Sequence, residues 1–225
     1  MKRILFFLIF ALAGFAVLMA LGTWQAQRLV WKEALLSEID RRIAADPVDL
    51  PEQVDRLRDL YLPVRAEGVI GPQELHVLVS QKQIGAGYRI ISVFETGGRR
   101  ILLDRGFVAL DQKDAPRGAV QASVTGNLHW PNEVDGYTPV PDAKAQIWFA
   151  RDVDAMAGEM GTEPVMIILR ETSENPAAVA PLPLDRAGIP NDHLQYAITW
   201  FSLAAVWAAM TGFFLWRHRQ SAKAE

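Results

Sequence analysis

The sequence predicts an α+β protein in which two transmembrane helices flank a mostly antiparallel β domain with short helices, that domain lying outside the cytoplasm. Three observations predict it. Two stretches, Ile4 to Gly22 and Ala197 to Trp216, carry no charged residue, and each is close to the roughly 20 residues that cross about 30 Å of hydrocarbon as a helix. Between them, short runs rich in Val, Ile, Phe and Tyr are separated by turn signals, the pattern of antiparallel strands. Arg217, Arg219 and Lys223 collect just beyond the second stretch, whereas Arg186 alone lies close before it. The positive-inside rule then puts both termini in the cytoplasm and the central domain outside.

Taken in order, residues 1–24 form the first span. Lys2-Arg3 and the small residues Ala20-Leu21-Gly22 also suit a cleaved signal peptide. The apolar run is longer than such a segment needs and continues without a polar break, so the reading adopted is a signal anchor. Leu29, Leu36, Ile39 and Ile43 recur at helical spacing, which extends the helix outward as a stalk from Gln25 to Ala45. Asp46-Pro47 ends it, because a residue before proline avoids the α region.

The domain, residues 25–191 with the stalk, begins its strands at Leu62 to Ile70. Gly71-Pro72 reads as a turn and Glu74 to Ser80 as the returning strand. Tyr88 to Phe94 and Arg99 to Val108 flank Thr96-Gly97-Gly98, a hairpin signal. Further strands are expected over Ala119 to His129 and Ile147 to Ala150. A short helix follows over Asp152 to Met160 with Asp152 as N-cap, and a closing strand over Pro164 to Arg170. Ser173 to Asn191 is a proline-rich loop. Residues 192–217 are the second span, and residues 218–225 a cytoplasmic tail too short for a signalling domain.

Composition removes several classes of function. The 225 residues carry a net charge of −3, which argues against nucleic acid as a partner. With no cysteine, disulfides, thiolate metal sites and cysteine nucleophiles are excluded. No nucleophile elbow, paired-histidine metal motif or phosphate loop is present, so an enzyme is not expected.

Six stretches in register resemble the Surfeit locus protein 1 family of cytochrome c oxidase assembly factors. They are Gly22-Thr23-Trp24-Gln25 with Arg28, then Pro63 to Gly68, then Gly87-Tyr88-Arg89, then Asp104-Arg105-Gly106-Phe107-Val108, then Trp148 to Ala157, and finally Pro190 to Phe201. Asp104 and Phe107 stand where the family commonly has Asn and Trp, and Asp192 where many members have Asn. The resemblance implies a role in maturing the catalytic subunit of a haem-copper oxidase, with haem a as cofactor and His193 as its axial ligand. Partners implied are that catalytic subunit, haem a synthase and the lipid bilayer. The lack of an Arg- and Ser-rich transit peptide points to a bacterial member in the inner membrane.

On residues alone, His193 sits at the outer interface, one turn outside the hydrocarbon, on a helix that Asn191 is expected to cap from Asp192 onward. Ala197, Trp200, Ala204, Ala208 and Thr211 project beneath it. Such a strip suits a flat macrocycle, with Trp200 near its top, and equally suits packing against Ala13, Ala16 and Ala20 of the first span. Imidazole is a usual haem ligand, and an interfacial histidine is also a common anchor. Trp24 and Arg28 would lie level with His193 as anchors or as walls of the same site. Arg65 and Arg105 suit haem propionates and, more simply, ion pairs within the domain. His76 and His129 read as packed or surface residues, and His218 as an inside anchor. The alternative reading is a scaffold that steadies an oxidase assembly intermediate without holding haem.

Overall fold

The computed structural model describes residues 2–81, 85–142, 144–184 and 190–224; Arg186 and residues 185–189 of the proline-rich loop lie outside the described residues. It divides into two compact units, Met1–Glu38 with Arg186–Glu225, and Ile39–Asp185. α1 (Lys2–Ile43) is one unbroken helix.

The first unit is a helical pair, α1 with α3 (His193–Ala224). Both helices are long and apolar enough to cross a membrane, which suits a membrane protein. Their large apolar side chains point outward: Phe6, Leu12 and Met210 are 73%, 70% and 67% exposed. A soluble core helix would bury these groups, whereas a lipid-facing helix presents them.

The second unit is a sheet that closes on itself. Its strands are β1 (Val48–Asp49), β2 (Pro63–Gln81), β3 (Gly85–Thr96), β4 (Arg99–Ala109), β5 (Val120–Leu128), β6 (Ile147–Trp148) and β7 (Met166–Thr172). The order β2-β3-β4-β7-β5 returns to β2 through eight further pairs, from Pro63↔Asn127 to Ile70↔Val120. Closure leaves a five-stranded barrel without free edges among these strands. The ladders are mostly antiparallel, with β4–β7, β1–β2 and β2–β6 parallel. The hairpin between β3 and β4 turns at Gly97 and Gly98, whose φ values of 56° and 75° are what a two-residue primed turn demands.

One expectation is overturned here. Gly71-Pro72 is no turn: β2 runs through it as a single 19-residue strand. Ile70 pairs with Phe94 and Glu74 with Ser92, so the segment between them carries extra residues opposite β3. A bulge tolerates Pro72, which has no N–H to give the ladder, and it bends the strand. β2 thereby pairs with β5 over its first half and with β3 over its second.

Side chains alternate between two cores. Val64, Phe94, Ile101, Leu103, Val124 and Ile167 fill the barrel interior, contributed by all five strands. On the outer face, Leu75, Ile91, Val93, Leu102, Met166 and Ile168 pack under α2 (Val153–Met160), which buries Val153, Met156, Ala157 and Met160. β4 and β7 are therefore apolar on both faces, like strands inside a layered sheet. α2 starts where Asp152 Oδ1 accepts the Ala155 amide at 3.0 Å, and it ends at Gly161, which is left-handed with φ 63°.

Candidate functional site

Within the helical unit, α1 and α3 run antiparallel and pair through a ladder of contacts. Phe7 meets Phe214 with ring centroids 4.4 Å apart, and Phe10 lies 5.8 Å from Trp207. The indole Nε1 of Trp207 donates to the Ala11 carbonyl at 2.8 Å. Trp207 covers Gly14 and Phe201 covers Gly22, each so closely that a Cβ there would lie within 3 Å of the ring. Aromatic side chains of α3 thus seat on the small residues of α1, a route by which helices associate where no hydrophobic force separates them from lipid.

The α1 face in use carries Ala11, Gly14, Gly22 and Gln25. Ala13, Ala16 and Ala20, expected from sequence, are exposed instead. On α3, Ala197 and Ala204 are 5% and 1% exposed. That part of the small-residue strip is filled by helix packing, so a macrocycle does not lie on it. Ala208 is exposed and Thr211 half-buried.

At the end of this ladder His193 Nδ1 stands 2.8 Å from Gln25 Oε1. An amide oxygen only accepts, so in the neutral ring this contact favours the tautomer with the proton on Nδ1 and the lone pair on Nε2. His193 is half-buried, whereas Gln25 is buried in the apolar pair. A buried amide needs a partner, and the imidazole supplies one. Trp200 lies seven residues along the same face of α3, half-buried. Trp24 is 54% exposed, and the exposed Arg28, one turn from Gln25, places its guanidinium 4.0 Å over the Trp31 ring. The helix begins at His193, with Asp192 before it. Asn191, expected as the cap, has its Oδ1 buried without a hydrogen-bond partner among the described residues.

The other sequence-selected residues belong to the barrel unit. Arg105 is 1% exposed, and its Nη2 donates to both carboxylate oxygens of Glu174 at 2.9 Å, the ion pair within the domain weighed from sequence. Arg65 pairs with Asp49 at 2.8 Å on the surface. Asp104, fully buried, accepts from Arg89 Nη1 at 2.7 Å, Arg151 Nη1 at 3.0 Å and the Gly106 amide at 3.1 Å. Arg151 also pairs with Glu133. His129 stacks on Tyr61 at 5.2 Å; burial, with the Arg151 charge adding, pushes its imidazole down to about 4. His76 Nε2 contacts Glu74 Oε1 at 3.1 Å. Burial alone would raise Glu74, but the hydrogen bonds from His76 and Arg117 outweigh it and hold the carboxyl at about 2. No cluster of three or more His, Asp or Glu suited to a metal ion occurs among the described residues.

Gln25 is the residue that sequence reasoning undervalued, as an interfacial anchor. Its signal was a polar residue three places after Gly22, on the face that glycine opens to a neighbour. The molecule is thus a two-span barrel protein whose helical pair presents one oriented imidazole.

The model of the SURF1 family matches residues 12–205, and the chain belongs to that family. It is 31% identical over 219 residues to Surfeit locus protein 1 of Rattus norvegicus, covering 84% of this chain and 69% of that protein. It is 30% identical over 236 residues to the SURF1-like protein of Drosophila melanogaster, covering 92% of this chain and 75% of the other. A bacterial relative, the SURF1-like protein of Rickettsia bellii (strain RML369-C), is 29% identical over 205 residues, covering 86% and 84%.

Proposed function

We propose that this protein assists assembly of a haem-copper cytochrome c oxidase by holding haem a at His193 and passing it to the catalytic subunit. The observation that carries the reading is the hydrogen bond from His193 Nδ1 to Gln25. Metal-bound histidines are held this way, one ring nitrogen donating to an oxygen so that the other meets the metal. The donor set fits a haem: one imidazole whose Nε2 carries the lone pair, the Trp200 indole on the same face and the Arg28 guanidinium one turn from Gln25. His193 Nε2 would hold the iron, and Arg28 would pair with a propionate. Trp24 and Trp200 would shield the ring. Arg105, buried and paired through Nη2 with Glu174, is given no role in this reading.

In the same reading both termini lie in the cytoplasm, the barrel in the periplasm and the helical pair in a bacterial inner membrane, an orientation favoured by Arg217, Arg219 and Lys223 after the second apolar run. His193 then lies at the outer interface, and removing a metal ligand costs far more than trimming an interfacial side chain, ordinarily worth within about 0.5 kcal/mol. His193→Ala is expected to leave the protein folded and inserted while bound haem falls severely and the remaining spectrum changes. His76→Ala and His129→Ala are expected to leave haem binding nearly untouched. Full haem with an unchanged Soret band in His193→Ala would remove His193 as ligand and favour a scaffold that never holds haem.

A further inference from the structure

We infer that Gln25 is a positioning residue that fixes the His193 tautomer and, being a neutral amide, keeps haem ligation exchangeable. The inference rests on the reading of His193 as ligand and adds to it. Left alone, a neutral imidazole protonates either nitrogen, and a proton on Nε2 blocks the lone pair that a metal needs. Gln25 Oε1, at 2.8 Å from Nδ1, selects the tautomer with Nε2 free before any metal arrives. Gln25 itself cannot swing away cheaply. It is buried at 9% exposure, on the face of α1 that also seats Ala11, Gly14 and Gly22 against α3.

The choice of amide over carboxylate has a chemical consequence. Oxygen partners raise the basicity of a ligating imidazole, and an anionic carboxylate pulls harder on the Nδ1 proton than an amide carbonyl does. A carboxylate here would give a more electron-rich, tighter ligand. A protein that must release its cargo is served by the weaker acceptor.

The test uses the full chain in detergent micelles, with ferric protoporphyrin IX as probe and the variants Gln25→Leu, Gln25→Glu and His193→Ala. In the metal-free parent, 15N spectra of labelled histidine should show His193 protonated at Nδ1. Gln25→Leu should lose that preference and weaken probe binding by about 10- to 100-fold. Gln25→Glu, nearly the same in shape, should restore the tautomer, slow probe release below the parent rate and lower the reduction potential. It keeps the test alive if Gln25→Leu does not fold. Parent His193 protonated at Nε2 would overturn the inference. So would variants matching the parent in tautomer, release rate and potential while His193→Ala loses the probe, which leaves the ligand reading standing. If His193→Ala binds with an unchanged spectrum, the ligand reading itself falls, and this inference with it.

Discussion

Replacing Asp104 by leucine, a side chain branched in the same way but larger and uncharged, should uncouple the charge cluster that ties β3 and β4 to the start of α2. The carboxylate is fully buried and accepts three hydrogen bonds, two from guanidinium groups. Without it Arg151 keeps Glu133, but among the described residues Arg89 retains only the Leu182 carbonyl at 3.3 Å. Removing one member of a buried pair costs about 3–5 kcal/mol, because the remaining charge stays out of water. At roughly 2–4 °C per kcal/mol for a chain of this size, the β signal of the full-length protein in micelles should melt about 6–20 °C lower. Asp104→Asn keeps one carbonyl oxygen for the guanidinium groups and should lose less. Adding Arg89→Leu to Asp104→Leu removes the stranded charge and should recover most of the loss, since replacing both partners is nearly neutral. A single Asp104→Leu variant melting within about 2 °C of the parent would show that the buried carboxylate does not hold these elements together.

His129 gives a pH dependence of definite sign. Its folded imidazole lies near 4 against an ordinary 6.5, so its contribution to stability is complete above pH 6.5 and is lost as pH falls toward 4. The loss is at most about 3.4 kcal/mol, at 1.36 kcal/mol per pH unit between 6.5 and 4. His129→Phe should flatten melting curves between pH 6.5 and 4.5, a window in which the lowered Glu74 carboxyl does not yet titrate. At Gly126 an added Cβ would lie 2.2 Å from the Ile168 carbonyl, so Gly126→Ala should cost about 1–3 kcal/mol by forcing β5 from β7. Gly158, exposed in α2 with nothing within 4 Å of an added Cβ, should instead gain about 0.5–1 kcal/mol as alanine; equal melting shifts at the two sites would contradict the barrel packing. Reporter fusions after Gly118 should report the outer compartment and fusions after Glu225 the cytoplasm, and a mature N-terminus at Thr23 would defeat the signal anchor.

Much of this was legible in the order of residues because its causes are local. Apolar length alone marks α1 and α3, two adjacent glycines at 97 and 98 impose their turn, and Asp152 caps α2 through an amide three residues away. The six motifs placed the chain in its family, and they singled out His193 before any contact was known. Barrel closure was not legible. It depends on β2 pairing with β5, some sixty residues later, from Pro63↔Asn127 onward, and no neighbour of Gly71-Pro72 announces that the chain will continue rather than turn. Nor does a helix declare which of its faces meets a partner. α1 offers small residues on several sides, and only the register of Trp207 and Phe201 against Gly14 and Gly22 turned Ala13, Ala16 and Ala20 outward. That same register set Gln25 beside His193, because a hydrogen bond between residues 168 positions apart exists only once two helices have chosen their faces.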